Sequence, residues 1–338
     1  MNSIVRMIGR MSLCVASLAA ISPRSSEAQE NVGQPETLTE LPSESVNEAL
    51  AWSEPVPGNA PWVPNMLGDF VGGFSFKVAP GPVTQPRAVA RAITRFKVAD
   101  NNSPLPRTRL LYSYNYFHDP FQTEGDLSRN FYGIEYGVTD WASVEIKNSI
   151  NSYNNFIGFS DKVDISDLQT TLKLLGTRTE TYALSGGLAV GAPIANMPSD
   201  LSNSNWIFAP FAAGIWTPRE TRLFTQGFMQ LDIPTVSDDV LLLHTDVGVG
   251  YFLLDDATRF VSMIAPTVEL HAYTPIGGAG GVYQDLNYVD VLNLTVGTTF
   301  RLREFATLAV GGSFPLSTEK DYDFEIQAHV NWFFRRGL

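Results

Sequence analysis

Thiols and long apolar runs are scarce in this sequence. Its single cysteine, Cys14, lies in an amino-terminal apolar run, so the rest of the chain can form neither a disulfide framework nor a thiolate metal site. After residue 22 no stretch approaches the roughly 20 apolar residues that a helix needs to cross a bilayer. If the chain spans a membrane, it must do so as a closed β-sheet, because in lipid every backbone polar group needs an internal partner.

Positive charge is also in deficit. The chain has 23 lysines and arginines against 35 aspartates and glutamates, a formal net charge of −12. Nucleic-acid binding depends on neutralising phosphates with basic side chains, so an acidic chain is a poor candidate for it. We therefore expect no nucleic-acid partner, and no residue pattern in the chain calls for a cofactor.

The first 28 residues have the order of a secretory signal peptide. MNSIVRMIGR is positively charged, MSLCVASLAAIS is an apolar run of 12 residues, and the stretch from Ser26 to Ala28 places small residues at the cleavage spacing. A membrane anchor would need a longer run, and a lipoprotein signal would need a small residue before Cys14, where Leu13 stands. We predict cleavage near Ala28, which removes three arginines and one glutamate and changes the net charge to −14.

Residues 29–106 hold 11 of the 21 prolines and are predicted to be an irregular extension. Proline removes ladder donors from any central strand. A capping-box pattern at residues 45–48 indicates either a short helix reaching Trp52 or a turn in a linker. The glycine-rich apolar stretch 67–76 could form a small docked element.

The stretch NNSPLPRTR (101–109) has two interpretations. Its prolines stop helix and strand alike, so it could be a rigid linker into the first strand that follows. Alternatively, residues 67–106, which contain a local basic cluster, fold into the barrel lumen as a plug. That cluster comprises Arg87, Arg91, Arg95 and Lys97.

From Arg107 onward the chain consists of alternating runs of about ten residues separated by turn-forming residues. We predict twelve such strands. They cover residues 107–117, 128–138, 141–151, 164–175, 180–192, 205–217, 221–233, 240–253, 258–273, 286–301, 305–314 and 323–335.

The connections between these runs alternate between short turns and longer loops. An even number of strands with tight turns at one end is the arrangement of bacterial outer-membrane barrels. The sequence thus predicts an all-β fold, a twelve-stranded antiparallel transmembrane barrel over residues 107–335, with both of its termini on the periplasmic side.

One side of each run is apolar and the other is charged, polar or very small. In FEIQAHVNWFF (324–334), for example, the side that carries Phe324 opposes the side that carries Glu325. We assign the apolar side to lipid and the polar side to the lumen. The charged and histidine residues of the lumen side, as candidates for lining or solute binding, are Arg109, Glu135, Glu145, Lys147, Asp167, Lys173, Arg222, Asp232, His244, Asp246, Glu269, His271, Arg301, Glu325, His329 and Arg335.

A soluble β-sandwich is the alternative fold. A wall of mixed charge is costly to bury unless every charge is paired, whereas a hydrated lumen accommodates it. Aromatic residues such as Tyr136, Tyr251 and Trp332 lie toward run ends, as in the girdles of membrane barrels. The barrel is therefore favoured, with local bulges or a broken ladder expected at Pro210 and Pro266.

Three stretches resemble a known group of proteins: RFKVADNNSPLPRTRLLYSYNYF (95–117), MIAPTVELHAYTP (263–275) and EYGVTDWASVEI (135–146). The first two are similar to uncharacterised outer-membrane β-barrels of planctomycete-type bacteria, and the third is similar to the periplasmic turn of porin-like and meta-pathway transporter-like barrels. The resemblance covers most of residues 65–338 and implies a barrel without specifying a substrate. Members often finish on an aromatic residue, whereas here four residues follow Phe334.

Two histidine–carboxylate pairs are the candidates for chemistry, His244 with Asp246 and Glu269 with His271, because residues two apart on a strand face the same way. An outer-membrane hydrolase would want a serine beside such a histidine, and neither this pattern nor GxSxG is present. A metal site across neighbouring strands is a minor alternative. We interpret both pairs as polar lining and expect no catalytic residue and no metal.

The sequence therefore predicts a passive porin or small-solute transporter in the bacterial outer membrane, in contact with outer-membrane lipid and with the barrel-assembly machinery. Small solutes would pass a charged lumen that is narrow or plugged, since twelve strands lie between filled barrels and open porins. The second hypothesis is a structural or surface-interaction barrel that conducts nothing. The sequence leaves the oligomeric state open.

Overall fold

The structure is a computed structural model that describes residues 62–69, 75–77, 95–120, 125–154, 162–194, 205–236, 239–278, 287–318 and 320–334. The cleavage site near Ala28, the helix or turn at 45–52, and the side chains of Arg87, Arg91 and Arg335 lie outside these residues. Across the described part of the chain, no helix has the length and apolarity to cross a membrane.

Within the described residues the regular structure is entirely β. The strands are β1 (Ser75–Lys77), β2 (Arg109–His118), β3 (Asp126–Thr139), β4 (Ala142–Asn154), β5 (Lys162–Ile165), β6 (Leu168–Arg178), β7 (Tyr182–Ala192), β8 (Ile207–Trp216), β9 (Leu223–Pro234), β10 (Val240–Tyr251), β11 (Leu254–Asp255), β12 (Val261–Gly278), β13 (Asn287–Val289), β14 (Val291–Leu302), β15 (Ala306–Pro315) and β16 (Phe324–Phe333).

Twelve of these strands close into an antiparallel barrel, which confirms the predicted fold. Each predicted run overlaps one barrel strand, and barrel strands that are neighbours in the chain are neighbours in the sheet. The barrel closes where β16 pairs with β2, from Phe324 opposite His118 to Phe333 opposite Arg109. Closure leaves the sheet without free edges. Of the short strands, β5 extends the pairing of β4, β11 pairs with β12, and β1 pairs with β13 separately.

Both prolines interrupt the ladder, as the sequence predicts. Pro210 pairs with Leu188 of β7, but on its other side the pairing with β9 skips from Phe208 to Phe211. Pro266 lies just beyond Thr267, where the ladder between β12 and β10 ends. In each case proline, which has no N–H to donate, lies where the pairing on one side of the strand is interrupted. The barrel therefore accommodates both prolines at positions where a backbone donor is not needed.

The apolar side of the strands faces outward. On β16, Ile326 is 55% exposed and Trp332 is 41% exposed, whereas Glu325 and Gln327 on the opposite side are buried. The same alternation runs along the other barrel strands. A soluble barrel would place branched apolar side chains inside, so this arrangement is the reverse of a water-soluble one.

Aromatic side chains form a ring around the outside at the short-turn end of the barrel. Tyr182 and Trp216 are paired across β7 and β8, and both are at least 40% exposed. Rings at this level are typical of the boundary between lipid and water. The exposed members of the ring are Tyr136, Trp141, Tyr182, Trp216, Tyr251, Phe260 and Trp332.

If the outer face contacts lipid, the cost of placing a charge on it must depend on depth. Leu188 is an exposed residue in the middle of β7, whereas Leu223 is exposed at the short-turn end of β9. We expect Leu188→Arg to lower the free energy of unfolding in lipid vesicles by about 2–4 kcal/mol and Leu223→Arg by about 0–1 kcal/mol. Denaturant titration of the two variants measures the difference, and equal costs would contradict lipid contact at Leu188.

Candidate functional site in the barrel interior

The candidate site is the interior of the barrel, where most of the predicted lining residues lie. Thirteen of them are buried on the inward side of the wall: Arg109, Glu135, Glu145, Lys147, Asp167, Lys173, Asp232, His244, Asp246, Glu269, His271, Glu325 and His329. They are brought together from β2, β3, β4, β6, β9, β10, β12 and β16 and from the junction between β5 and β6.

Two arginines of the predicted set behave differently. Arg222 is exposed and donates a hydrogen bond to the carbonyl of Leu253, 3.3 Å away, in a short connection. It does not line the interior, because β9 begins only at Leu223 and the alternation of faces does not extend to the residue before it. Arg301 is half-buried, and its guanidinium lies 4.6 Å from the centre of the Trp62 ring.

Two stretches from the region before the barrel lie against this wall. We call residues 62–69 and 95–107 the inner segments. They contact each other through the Met66 N–H, which donates to the Asn102 carbonyl at 2.8 Å. Their residues are buried throughout, apart from the half-buried Trp62 and Pro106. The wall charges are therefore packed against protein in the described part of the chain, and the expectation that water surrounds them there is wrong.

Lys97 is the centre of the largest contact between inner segments and wall. Its ammonium donates to Asp246 at 3.0 Å and to the Tyr273 hydroxyl at 3.1 Å, and it lies 3.2 Å from Nδ1 of His271. It also forms an ion pair with Asp69 of the other inner segment. Lys97 is almost fully buried, so its charge depends on these partners.

Glu269 fixes the inner segment at residues 67 and 68. Its two carboxylate oxygens accept hydrogen bonds from the backbone N–H groups of Leu67 at 2.9 Å and Gly68 at 3.0 Å. The Gly68 carbonyl in turn accepts from Thr295 at 3.0 Å and from Gln327 at 2.9 Å. Three wall strands, β12, β14 and β16, thus hold the backbone on both sides of Gly68 in place.

A second charged cluster lies under residues 101 and 102. Arg109 donates to Glu135 at 2.8 Å, to Glu145 at 2.9 Å and to the carbonyl of Asn101 at 2.7 Å. Lys173 donates to Asn102 at 2.8 Å and to Glu135 at 2.9 Å. Charge-assisted bonds of this kind are roughly twice as strong as neutral ones, so this cluster is a second strong attachment between the inner segments and the wall.

Arg95 makes a third charged contact. It donates to Asp239 and to the carbonyl of Val240, both at 2.8 Å, and approaches Asp232 at 3.4 Å. Asp232 also lies 3.1 Å from Nε2 of His244. The two described members of the predicted basic cluster, Arg95 and Lys97, therefore both bind inward-facing acids.

Several residues at these contacts were missed from the sequence. Arg129 is buried on β3, six residues before Glu135 and hence on the same face, so strand parity could have found it. Asn331 bridges Arg109 and Asn101; the sequence places it on the inward face beside His329, but as an uncharged residue it is not in the predicted lining set. Asp69 and Asn102 carry no such signal, because they precede the barrel strands and their positions depend on long-range packing.

Each histidine of the two predicted pairs faces an aspartate on a neighbouring strand. Nδ1 of His271 lies 2.8 Å from Asp246, and His244 lies beside Asp232. No hydrogen bond between either histidine and a serine is present in the described residues. In the same residues no group of three or more histidine, cysteine, aspartate or glutamate side chains is placed to hold a metal ion.

Asp100 gives the inner segments a dependence on pH. Burial raises the pKa of its carboxyl to about 6, although Lys97 and Lys147 act to lower that pKa while Asp69 and Asp246 raise it. A released, hydrated Asp100 loses its proton near pH 4, whereas Asp100 in the docked segment keeps it up to about pH 6. The shifted pKa of Asp100 therefore stabilises the docked state fully below about pH 4, and this contribution is lost as the pH rises through about 6.

We expect the inner segments to stay docked against the wall more of the time at pH 5 than at pH 7. The pKa of Asp69 is lowered, because burial, which raises it, is outweighed by Lys97 and His271, so Asp69 stays ionised across this window. Hydrogen exchange of the backbone amides of the inner segments, corrected for the intrinsic effect of pH, measures the difference, and Asp100→Asn should remove most of it. A pH dependence that is unchanged in this variant would assign the effect to another group.

Comparison with known proteins gives matches by structure alone. No protein-family model matches the chain, and no curated protein matches it. An outer-membrane channel from Pseudomonas putida F1 superposes with a TM-score of 0.51 at 14% identity, covering 69% of this chain and 97% of that one. The NanC porin gives 0.45 at 10% identity, covering 68% and 100%, and the KdgM porin gives 0.44 at 9%, covering 67% and 99%. The likeness to the Pseudomonas channel is one of fold.

Proposed function

We propose that the chain is an outer-membrane channel for small solutes whose pore is closed by the inner segments. The observation that carries the proposal is a closed barrel with an apolar outer surface and a charged interior. Such a surface is costly in water and matches the hydrocarbon core of a bilayer. The fold shared with the Pseudomonas channel is consistent with this function.

The contacts of the inner segments support a plug rather than an external linker. Lys97, Glu269 and Arg109 each join an inner segment to the wall through buried hydrogen bonds. Passage of solute then requires at least part of these segments to move. Selectivity would come from the wall residues that the movement uncovers.

Export by the signal peptide of residues 1–28 and insertion by the barrel-assembly machinery belong to the same proposal, as does a periplasmic location for the short turns. The narrower resemblance, to meta-pathway transporter-like barrels of planctomycete-type bacteria, remains a prediction from sequence. No residue catalyses a reaction in this proposal, and the histidine–carboxylate pairs serve to hold the wall and the inner segments together.

Recording in planar bilayers tests the proposal. We expect the full-length protein to show rare, brief current steps, and a variant lacking residues 29–106 to show steady steps, because the wall alone encloses a polar lumen. Heat-dependent migration on a denaturing gel checks that both proteins form barrels. If both form barrels and neither conducts, the second hypothesis of a non-conducting structural barrel is favoured instead.

A further inference from the structure

A recess remains between the inner segment and the wall at the long-loop end of the barrel. Phe96 lies on its inner side, and inward-facing residues of β6 to β9 form its other walls. The centre of a water-sized molecule can move through about 20 Å³ of it, and the recess opens to solvent. Gln169, Ile207 and Asp232 lie near the ends of their strands that lead to the long loops, which places the recess at that mouth.

The recess exists because the wall is built from small residues there. Gln169 on β6 pairs with Gly191 on β7, and the next inward row holds Ala189 and Ala209. A Cβ atom added to Gly191 would meet nothing closer than 3.7 Å. Elsewhere the wall carries long charged side chains that reach the inner segments, so this is a local change in the wall.

Two polar atoms in the recess lack partners among the described residues. The Gln169 side-chain oxygen and the Asn205 side-chain nitrogen are buried without a hydrogen bond. Either amide can be turned to present a donor or an acceptor. Buried polar groups in native proteins are nearly always paired, so each of these two side chains of the recess calls for a partner that the described residues do not supply.

The charges of the recess disfavour an anion. Arg95, its cation, is bound to Asp232 and Asp239. Asp167 also lines the recess, so carboxylates outnumber cations. An anion is repelled by these carboxylates and a cation competes with Arg95 for Asp232, whereas a small uncharged molecule meets neither obstacle.

We propose that the recess binds a small uncharged solute that carries a hydrogen-bond donor beside an acceptor, as a short carboxamide or a polyol does. The solute bonds to Gln169 and Asn205 and packs against Phe96 and the small wall residues. This inference rests on the proposed function, in which the recess is the first binding position at the long-loop mouth of the channel.

Saturation-transfer NMR on the full-length protein in detergent micelles tests the proposal without requiring an open pore. The probes are acetamide, glycerol, and two charged molecules of similar size, acetate and methylammonium. We expect saturable binding of acetamide or glycerol, with a dissociation constant at least tenfold higher in Asn205→Leu and Gln169→Leu. Gly191→Leu should fill the recess and weaken binding to a similar extent. Val190 faces outward, so the Val190→Leu protein should bind the probes as the wild type does.

Each result bears on the inference. Uncharged probes that do not bind the wild type, or bind the variants equally well, overturn the site, and a stronger response to methylammonium or acetate overturns the uncharged class. Asn205 precedes β8, so its variant tests the site even if a strand substitution prevents folding. Because binding is read without current, its loss is distinct from failure of the channel proposal, which shows as absence of conductance.

Discussion

Replacing Lys97 by methionine is expected to produce the largest opening of any single substitution in the inner segments. The change keeps most of the unbranched apolar side chain and removes the charge that pairs with Asp69, Asp100 and Asp246. Breaking a buried ion pair by removing one partner costs about 3–5 kcal/mol, because the other partner stays buried and uncompensated. The docked state should weaken by roughly 100-fold or more. Open probability in planar bilayers measures the change.

A double-substitution cycle separates the charge effect from lost packing. Asp246→Asn alone should also weaken docking, but Lys97→Met combined with Asp246→Asn should cost less than the two changes summed, since each removes part of the same interaction. Unchanged open probability in Lys97→Met, with the barrel intact on a gel, would contradict a plug held by this cluster.

The barrel was predictable from sequence because its constraints are local and repetitive. An alternating run such as 324–334 fixes which residues share a face, and the long and short connections fix the antiparallel order. The register of β16 against β2 is different. It depends on closure of the whole sheet, which no single run encodes, so the opposition of Phe333 and Arg109 emerges only from the structure.

The path of the inner segments was not decided by sequence for a related reason. Pro104 and Pro106 exclude regular structure around them, but they are equally compatible with a linker outside the barrel and with a plug inside it. What distinguishes the two is the pairing of Lys97 with Asp246 and of Gly68 with Glu269, which are 149 and 201 residues apart in the chain. Contacts at such separations leave no periodic signal.

Gly68→Val is expected to release the other inner segment. Gly68 has φ of +89°, a backbone conformation that residues with a Cβ rarely adopt, and an added Cβ would lie 2.9 Å from the Asp100 Cα and closer still to its carboxylate. The strain costs on the order of 1–3 kcal/mol before the clash is counted. Moving the segment to relieve the clash would break the hydrogen bonds from Leu67 and Gly68 to Glu269. We expect frequent openings in planar bilayers and an unchanged barrel on a gel.

Gly176→Val is the matched control, because it places the same side chain on a barrel strand where the nearest atom to a new Cβ is 3.6 Å away. It should leave the current traces as they are in the wild type.

Combining Gly68→Val with Lys97→Met should open the barrel little more than the stronger single change, since both free the same packed unit, in which Lys97 pairs with Asp69 and the Gly68 N–H with Glu269. Fully additive effects would instead mean that residues 62–69 and 95–107 leave the wall independently, and that solutes pass after only one of them has moved.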